Sequence, residues 1–206
     1  MRIVKEPEIR KNEILDAAEK IFSAKSYEEA TVSDILAAVN IAKGTFYYYF
    51  KSKEDVLDAL VERRIRIGVE NAEGIIASSL PPVQKLLAII MAQKPQSQAQ
   101  KDFNTAFHET GNAKMHQKVL AQCVLRLGPC LTRIIEEGIN AGIFNTSFPN
   151  ENAQILLAAA LLLFDDDFFH WTDAETAAKT MAFLDVTERS LGAEPGSFLE
   201  LAKVFI

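Results

Sequence analysis

The stretch AKGTFYYYFKSKEDV, residues 42–56, contains five consecutive aromatic residues followed by two lysines. Successive residues of a helix are about 100° apart, so a helix cannot turn all five rings toward one core. Some of the rings must face solvent or a partner. Tyrosine hydroxyls and lysine ammonium groups can donate to phosphate oxygens, and small residues such as Gly44 and Thr45 permit a close approach to base edges. The residue types therefore indicate contact with nucleic acid.

The helical spacing divides the side chains of this stretch between two faces. Phe46 and Phe50 are four residues apart, which places them about 40° from each other on the core side. The opposite side of the helix carries Gly44, Thr45, Tyr47 and Tyr48, on it or towards it, with Tyr49 at the border. We expect the two phenylalanines to anchor the helix and the other side chains to form its outer surface.

Short helices on either side of a turn position these residues. The apolar pattern predicts helices over residues 8–25, 32–39 and 43–50, and a fourth from residue 53 or 54 to about 79. Thr31 is the expected N-cap of the second helix, with Asp34 as the capping-box acid, and Asn40 accepts the left-handed backbone of the following turn. Two short helices joined by a three-residue turn form a helix-turn-helix, whose second helix enters the DNA major groove.

The charge distribution agrees with a local nucleic-acid surface. The net charge is −6, but residues 1–66 hold 12 basic and 12 acidic side chains, so the remainder carries the whole excess. No acidic residue falls between Asp34 and Glu54. A neutral first part on an acidic body is typical of a protein that touches phosphate at one end only.

The rest of the chain is predicted to be helical, with no strand pattern. The expected segments are 82–92, a short helix at 103–111, a long one at 112–141 broken or kinked at Gly128-Pro129, one from residues 148–150 to about Trp171, one from Thr172 or Asp173 to about Gly192, and a short one at 198–206. The predicted fold is all-α, with an N-terminal three-helix bundle containing the helix-turn-helix (1–53) and a C-terminal helical domain (54–206).

Neither a membrane span nor a disulfide is predicted. The longest apolar run, residues 155–164, is half of the roughly 20 residues that cross a bilayer. Residues 1–13 are charged rather than apolar, so we expect a cytoplasmic protein. Cys123 and Cys130 would lie roughly 10 Å apart along one helix, too far for a disulfide, and are predicted to be core thiols.

Residues 9–60 resemble the DNA-binding domain of the tetracycline-repressor (TetR) family of transcriptional regulators. The matching residues read ILDAAEKIFSAKSYEEATVSDILAAVNIAKGTFYYYFKSKEDVLDAL, and KGTFYYYFKSKEDV is the most specific segment. The resemblance covers about a quarter of the chain; the remainder is similar to the family's ligand-binding and dimerisation domain in architecture only. It implies a homodimeric repressor that binds double-stranded operator DNA and is released by a small-molecule effector.

The resemblance also implies roles for individual residues. Thr31 and Ser33 are expected to contact phosphate at the start of the second helix. Contacts with bases or nearby backbone are expected for Lys43, Gly44, Thr45 and Tyr47. Contacts with the phosphate backbone are expected for Tyr48, Tyr49 and Lys53, with a supporting contact from Lys51.

Three positions depart from the family pattern. The family usually has glycine where this chain has Ser26 and Asn40, so both residues are expected to adopt strained or left-handed backbone angles. Ala42 replaces a common capping serine or threonine, which removes one expected phosphate contact.

Two interpretations remain open for the apolar helices near the C-terminus. Their side chains either form the core of one chain or, as the resemblance implies, a four-helix dimer interface made of two helices from each subunit. The candidate interface residues are Leu156, Ala159, Leu163, Met181 and Leu184. A two-fold dimer would place two recognition helices about 34–36 Å apart, to read a near-palindrome.

An effector pocket is predicted from aromatic and polar residues of the second half: Phe103, Phe107, His108, Met115, Asp166, Phe168, His170 and Trp171. Such a pocket would take a mostly apolar ligand, with carboxylates and aromatic faces attracting a cationic one. Asp165–Asp167 are three successive residues of the predicted helix and span about 200°, so at least one carboxylate is expected to face inward or to lie at an interface. The alternative is a solvated acidic edge with one internally paired aspartate.

An enzyme is the alternative class of function. Asp166 and His170, spaced i and i+4, could bind a metal in a small helical hydrolase built on the Asp165–His170 cluster. The chain has no Gly-rich phosphate loop, GxSxG or HExxH motif. We therefore predict no catalytic residues, metal or cofactor.

Overall fold

The computed structural model of the protein describes residues 7–92, 113–165 and 168–200. These residues form eight α-helices and no strand, as the all-α prediction requires. In chain order the helices are α1 (Pro7–Lys25), α2 (Val32–Val39), α3 (Lys43–Tyr49), α4 (Lys53–Ile76), α5 (Pro82–Ala92), α6 (Ala113–Asn140), α7 (Pro149–Leu163) and α8 (Asp173–Leu191).

The described residues divide into two compact units. The first contains residues 7–64 and 113–119, and the second contains residues 65–92, 120–165 and 168–200. Helices α4 and α6 each contribute residues to both units. The first unit thus includes the helix-turn-helix and the beginning of α6, a segment far along the chain.

The core of the first unit is built from the predicted apolar faces. On α1 the buried residues are Ile14, Leu15, Ala18 and Phe22, spaced as one stripe of an amphipathic helix. Ile35 of α2 and Phe46 of α3 have no exposed surface, and Val56 and Leu57 of α4 are equally buried. Because each helix of the bundle supplies large side chains to one core, the orientation of α3 is fixed by packing.

Both turns of this unit use residues with left-handed backbone angles, as expected at the positions where glycine is missing. Ser26 has φ 71° and Asn40 has φ 52°. At Asn40 the turn closes through its own N–H to the Ala37 carbonyl at 3.3 Å and the Ile41 N–H to the Leu36 carbonyl at 3.1 Å. Asparagine tolerates left-handed backbone angles better than most residues, whereas serine adopts them at a greater cost in backbone strain.

The second unit has its own core, centred on α6. Ile134 and Ile135 are buried, and Phe144 stacks on Phe198 with ring centroids 6.0 Å apart. Phe144 also lies against Gly138, where an added Cβ would be 2.1 Å from the ring. Glycine is therefore required at this position for the segment after α6 to fold back on the helix.

A buried lysine joins three segments of the second unit. Lys85 of α5 is buried, and its Nζ donates to the carbonyl of Ile76, the last residue of α4, at 2.9 Å. The same Nζ contacts both carboxylate oxygens of Glu137 on α6 at 2.9 and 2.7 Å. The ammonium satisfies a C-terminal carbonyl of α4 and is itself neutralised by the carboxylate.

One predicted helix boundary was wrong. The helix predicted at 112–141 is present as α6, with Pro129 inside it rather than a break at Gly128-Pro129. Helix α7 ends at Leu163 rather than near Trp171, and its C-cap Phe164 no longer has helical angles. The other expected ends agree closely: Thr172 caps α8 with a complete capping box, and Gly192 ends it with φ 60°. The helix predicted at 103–111 lies outside the described residues, as does most of the one at 198–206.

Cys123 and Cys130 are buried and form no disulfide, as predicted for core thiols. Burial raises the pKa of the Cys130 thiol. Among the described helices, none combines the length and apolar character that a bilayer crossing would demand.

Candidate nucleic-acid interface

The start of α2 is held by a reciprocal cap. The Thr31 hydroxyl accepts from the Asp34 N–H at 3.1 Å, and the Asp34 carboxylate accepts from the Thr31 N–H at 2.9 Å. Lys25 adds an ion pair to Asp34 at 2.8 Å. The bonds from Lys25 and then Thr31 hold the pKa of Asp34 at about 2. Thr31 and Ser33, both predicted phosphate contacts, are exposed at this end of the helix.

Helix α3 has one buried face and one exposed face. Phe46 is completely buried and Phe50 is buried beside it, with ring centroids 6.0 Å apart. Tyr47 is 46% exposed and Tyr48 is 77% exposed. The predicted division of the aromatic rings between core and surface is therefore confirmed. Tyr49, placed at the border, is half-buried.

The first turn of α3 is open. Ala42 makes no side-chain capping bond, as expected from the missing serine or threonine. Lys43 and Gly44 are exposed and Thr45 is half-buried. A Cβ built on Gly44 would have no neighbour within 4 Å, so a partner could approach the backbone closely at this point. The Lys43 Nζ lies 5.8 Å from the centre of the Tyr47 ring, at the outer limit of a cation–π contact.

The two lysines after α3 have different surroundings. Lys51 is exposed. Lys53 is half-buried, and its Nζ donates to the backbone carbonyls of Tyr27 at 2.6 Å, Ala30 at 2.8 Å and Glu28 at 3.3 Å. The sequence offered no signal for these bonds, because a lysine 23–26 residues from its carbonyl partners looks the same as an exposed one.

The same ammonium lies 4.3 Å from the centre of the Tyr27 ring. Tyr27 is buried and packs edge-on against Phe22 at 5.3 Å. Burial is the main cause that raises the pKa of the Tyr27 hydroxyl. The ring is therefore neutral at physiological pH and presents an aromatic face to the cation.

Ion pairs connect the start of α4 to the start of α6 within the first unit. Glu54 contacts Lys114 at 2.9 Å and Lys118 at 3.0 Å, and Lys118 also pairs with Asp58. The bonds from Lys114 and then Lys118 lower the pKa of Glu54. On the side of α1, Arg63 of α4 pairs with Asp16 at 2.6 Å and with Glu19. These contacts hold α4 on both neighbours, close to the candidate interface.

Most of the residues predicted for the effector pocket lie outside the described part of the chain. These are Phe103, Phe107, His108 and Asp166, together with the side chain of Met115. Phe168 and His170 are exposed. Trp171 is half-buried: its Nε1 donates to the Leu163 carbonyl at 3.0 Å and its ring stacks on Phe169 at 4.9 Å.

An apolar groove of about 210 Å³ occurs in the second unit, between α6 and α7. Its lining residues are Leu120, Ala121, Val124, Ala158, Leu161 and Leu162. None of them belongs to the predicted pocket. The sequence could not identify the groove because apolar residues on two distant helices have no spacing in common.

Asp166 and Asp167 of the predicted aspartate and histidine cluster lie outside the described residues, so the pairing of Asp166 with His170 stays a prediction. Helix α7 ends at Leu163, before the cluster begins. Asp165 is buried just after the helix end, while His170 is exposed. Within the described ranges, no three His, Cys, Asp or Glu side chains lie close enough to hold a metal ion.

The residues predicted for the dimer interface, near the C-terminus, differ in burial. Met181 and Ala159 are exposed, and Leu156 and Leu163 are half-buried. Leu184 is only 2% exposed, so its side chain belongs to the core of its own unit. Ile155, the first residue of the apolar run at 155–164, is 64% exposed.

Comparison with known proteins gives matches over most of the chain. Residues 14–60 match the profile of a family described as bacterial regulatory proteins, tetR family. Residues 95–186 match a second profile, described as tetracyclin repressor-like, C-terminal domain. The two matches correspond to the helix-turn-helix with the start of α4, and to a large part of the second half of the chain.

Curated relatives include two proteins from Bacillus subtilis. The fatty acid metabolism regulator protein is 30% identical over 137 residues, which are 63% of this chain and 68% of the relative. An uncharacterized HTH-type transcriptional regulator, YhgD, is 29% identical over 175 residues, or 82% of this chain and 91% of the relative.

Among solved structures, SmeT has a similar fold. It is the repressor of the Stenotrophomonas maltophilia multidrug efflux pump SmeDEF, and it superposes with a TM-score of 0.65 at 23% identity, over 91% of this chain and 92% of SmeT. A complex of SmeT with triclosan superposes with a TM-score of 0.62 at 19% identity, over 92% of this chain and 94% of SmeT.

Proposed function

This chain belongs to the TetR family of bacterial regulatory proteins, and from that premise we propose that it is a homodimeric repressor released from a near-palindromic operator by a small molecule. The observation that carries the proposal is the divided surface of α3. Phe46 and Phe50 fix the helix in the core, while Tyr47 and Tyr48 are exposed next to Lys43 and Gly44. Large exposed aromatic residues on a well-packed helix are otherwise a liability, so a partner is the reason for them.

The proposed DNA surface combines the starts of α2 and α3 with the segment after α3. Contacts with base edges or nearby backbone are proposed for Lys43, Gly44, Thr45 and Tyr47. Contacts with phosphates are proposed for Thr31, Ser33, Tyr48, Tyr49 and Lys51. Lys53 belongs to the same predicted set, but its Nζ is bonded to backbone carbonyls. The segment from residue 35 to residue 53 contains no acidic residue that would repel phosphate.

We propose that a second copy of the chain covers α7 and α8. The exposed face of α7 carries Ile155, Ala158, Ala159 and Leu162, spaced as one helical stripe. The exposed face of α8 carries Ala174, Ala178, Met181, Ala182 and Val186, also as one stripe. Two adjacent helices with apolar outer stripes fit a four-helix interface with a two-fold axis, to which Leu184 contributes only through the core beneath it.

An effector would act by favouring a dimer whose two recognition helices do not match the operator spacing. The ligand must bind that arrangement better than the DNA-binding one, and a difference of about 1.4 kcal/mol gives only a tenfold loss of operator affinity. A mostly apolar effector is proposed, because the groove between α6 and α7 is apolar and SmeT forms a complex with the apolar compound triclosan. Helix α4 is the proposed link, since it contributes residues to both units.

Selection of bound duplexes from a random-sequence pool tests the DNA-binding proposal. The expected product is a near-palindrome with half-sites about one helical turn apart, bound by two chains. Affinity should fall with rising salt, with a slope of about −0.9 for each phosphate contacted. A pool that shows no enrichment at low salt would overturn the proposal.

The effector proposal is tested on the selected duplex. Titration of the protein–DNA complex with apolar compounds, beginning with triclosan, should release a fluorescent duplex at compound concentrations that also raise the melting temperature of the free protein. A compound that raises the melting temperature without releasing DNA would argue for binding without regulation.

A further inference from the structure

The Lys53 ammonium has no donor left for DNA. An ammonium carries three N–H groups, and three carbonyl oxygens lie at 2.6, 2.8 and 3.3 Å from the Lys53 Nζ. The buried Tyr27 ring covers the same cation at 4.3 Å. A phosphate contact by this group would therefore require breaking bonds that already satisfy it.

The three carbonyls belong to the turn that leads into α2. Tyr27, Glu28 and Ala30 lie between α1 and α2, in the turn that begins with the left-handed residue Ser26. Ala30 immediately precedes Thr31, the N-cap of α2. Fixing these carbonyls fixes where α2 begins and which way its exposed hydroxyls point.

Lys53 is itself the first residue of α4, four positions after α3 ends at Tyr49 and three after its C-cap Phe50. The segments that flank the helix-turn-helix, one before α2 and one after α3, are thus joined by a single side chain. Ala30 and Lys53 are 23 residues apart along the chain, so the bond between them restricts a large conformational freedom of the segment that joins them.

We propose that Lys53 is a positioning residue for DNA binding, which holds the two flanks of the helix-turn-helix together, and that it is not a phosphate contact. This inference rests on the proposed DNA-binding function. It gives Lys53 the opposite behaviour from Lys51, an exposed lysine two residues earlier that serves as a matched control.

Substitution separates the two roles. Lys53→Met and Lys53→Arg should each lower the melting temperature by about 3–10 °C and weaken binding to the selected duplex, with the salt slope unchanged. Arginine keeps the positive charge, but its planar fork cannot direct three donors at three converging carbonyls. Lys51→Ala should leave the melting temperature unchanged and flatten the salt slope by about 0.9.

A phosphate contact predicts different results. Lys53→Arg would then keep the affinity of the unaltered protein, and Lys53→Met would flatten the salt slope as Lys51→Ala does. Either result overturns the inference. If the unaltered protein binds no duplex, the DNA-binding proposal fails, whereas the melting temperatures of the Lys53 variants still decide whether the tie to the turn exists.

Lysine footprinting of the unaltered protein avoids variants that fail to fold. Reductive methylation should modify Lys43 and Lys51 rapidly in the free protein and slowly in the DNA complex. Lys53 should react slowly in both, because its donors are already bonded. Rapid modification of Lys53 in the free protein, with protection by DNA, would overturn the inference.

Discussion

Phe46 and Tyr48 lie two residues apart in α3 and have opposite surroundings. Phe46 is enclosed by the core and contacts Phe50 and the edge of Tyr47, whereas Tyr48 is exposed except where it meets Tyr49 edge-on at 4.9 Å. The first side chain therefore contributes to folding, and the second is available to a partner. Substitution at each position separates stability from binding.

Phe46→Ala should lower the free energy of unfolding by about 3–5 kcal/mol, because it removes a fully buried ring and leaves a cavity. Tyr48→Ala should change stability by less than about 0.5 kcal/mol and weaken operator binding instead. Urea unfolding and fluorescence anisotropy on the same preparations measure the two quantities. A Tyr48→Ala protein with unchanged affinity would remove this residue from the proposed interface.

At the scale of an element, α2 depends on its first turn. The capping box of Thr31 and Asp34 satisfies amides that the helix leaves unpaired, and Lys25 draws the Asp34 carboxylate toward the end of α1. With its pKa held at about 2, against 3.8 for an unperturbed aspartate, Asp34 stays ionised in the folded protein at pH values where the unfolded chain binds a proton. The stability of this element is therefore linked to pH.

The charge of Asp34 should stabilise the fold fully above about pH 4, and this contribution should be lost as pH falls from about 4 to about 2. Asp34→Asn removes the charge but keeps the shape of the side chain. The unaltered protein should be more stable than Asp34→Asn at pH 7, and the two should converge near pH 2. A difference that stays constant between pH 5 and pH 2.5 would show that the charge is not responsible.

The end of α4 depends on the buried Lys85 in a different way. The ammonium is almost fully enclosed, while its partner Glu137 keeps 42% of its side chain exposed. Removing the acid leaves a buried charge with only the Ile76 carbonyl, whereas removing the lysine leaves an acid that water can still solvate.

Glu137→Ala should therefore be the more damaging change, with a loss of about 3–5 kcal/mol in the free energy of unfolding. Lys85→Met keeps the length of the apolar side chain and should cost less. Denaturant unfolding of the two variants at neutral pH gives the comparison. Equal losses, or a larger loss for Lys85→Met, would mean that capping of α4 outweighs the neutralisation of the buried cation.

At the scale of the whole molecule, the proposed dimer would bring two copies of a chain with a net charge of −6 together on a polyanion. The acidic excess lies outside residues 1–66, which leaves the DNA-binding region neutral. The proposed dimer surface on α7 and α8 is made largely of apolar and small side chains, so the copies would meet where charge is sparse.

Charges placed on this surface should separate the copies. The double variant Ile155→Glu/Met181→Glu should have the mass of one chain in light scattering at micromolar concentration, where the unaltered protein has the mass of two. Its operator affinity should fall by about 10²-fold or more, because the second half-site is no longer held near the first. Ile67→Glu, at an exposed apolar position of α4, should leave the mass unchanged. A dimeric double variant would place the interface elsewhere.

The sequence by itself determined the local features of the helix-turn-helix. Helix bounds, the Thr31 cap, the left-handed angles at Asn40 and the burial of Phe46 and Phe50 depend on neighbours within a few residues, so periodicity and turn chemistry suffice to predict them. The left-handed angle at Ser26 was expected from the family resemblance. The end of α7 was mispredicted because no glycine or proline follows Leu163 before Trp171, and helical spacing alone does not say where packing stops.

Only the tertiary structure decided which long-range partner each side chain takes. Lys53 and Lys51 look equivalent in the sequence, yet one ammonium is satisfied by a turn more than twenty residues away and the other is exposed. Lys85 and Glu137 are 52 residues apart and meet inside the second unit, and Leu184 is enclosed while Met181 on the same helix is not. Such choices depend on how distant helices pack, because spacing along one helix fixes its faces but not what covers them.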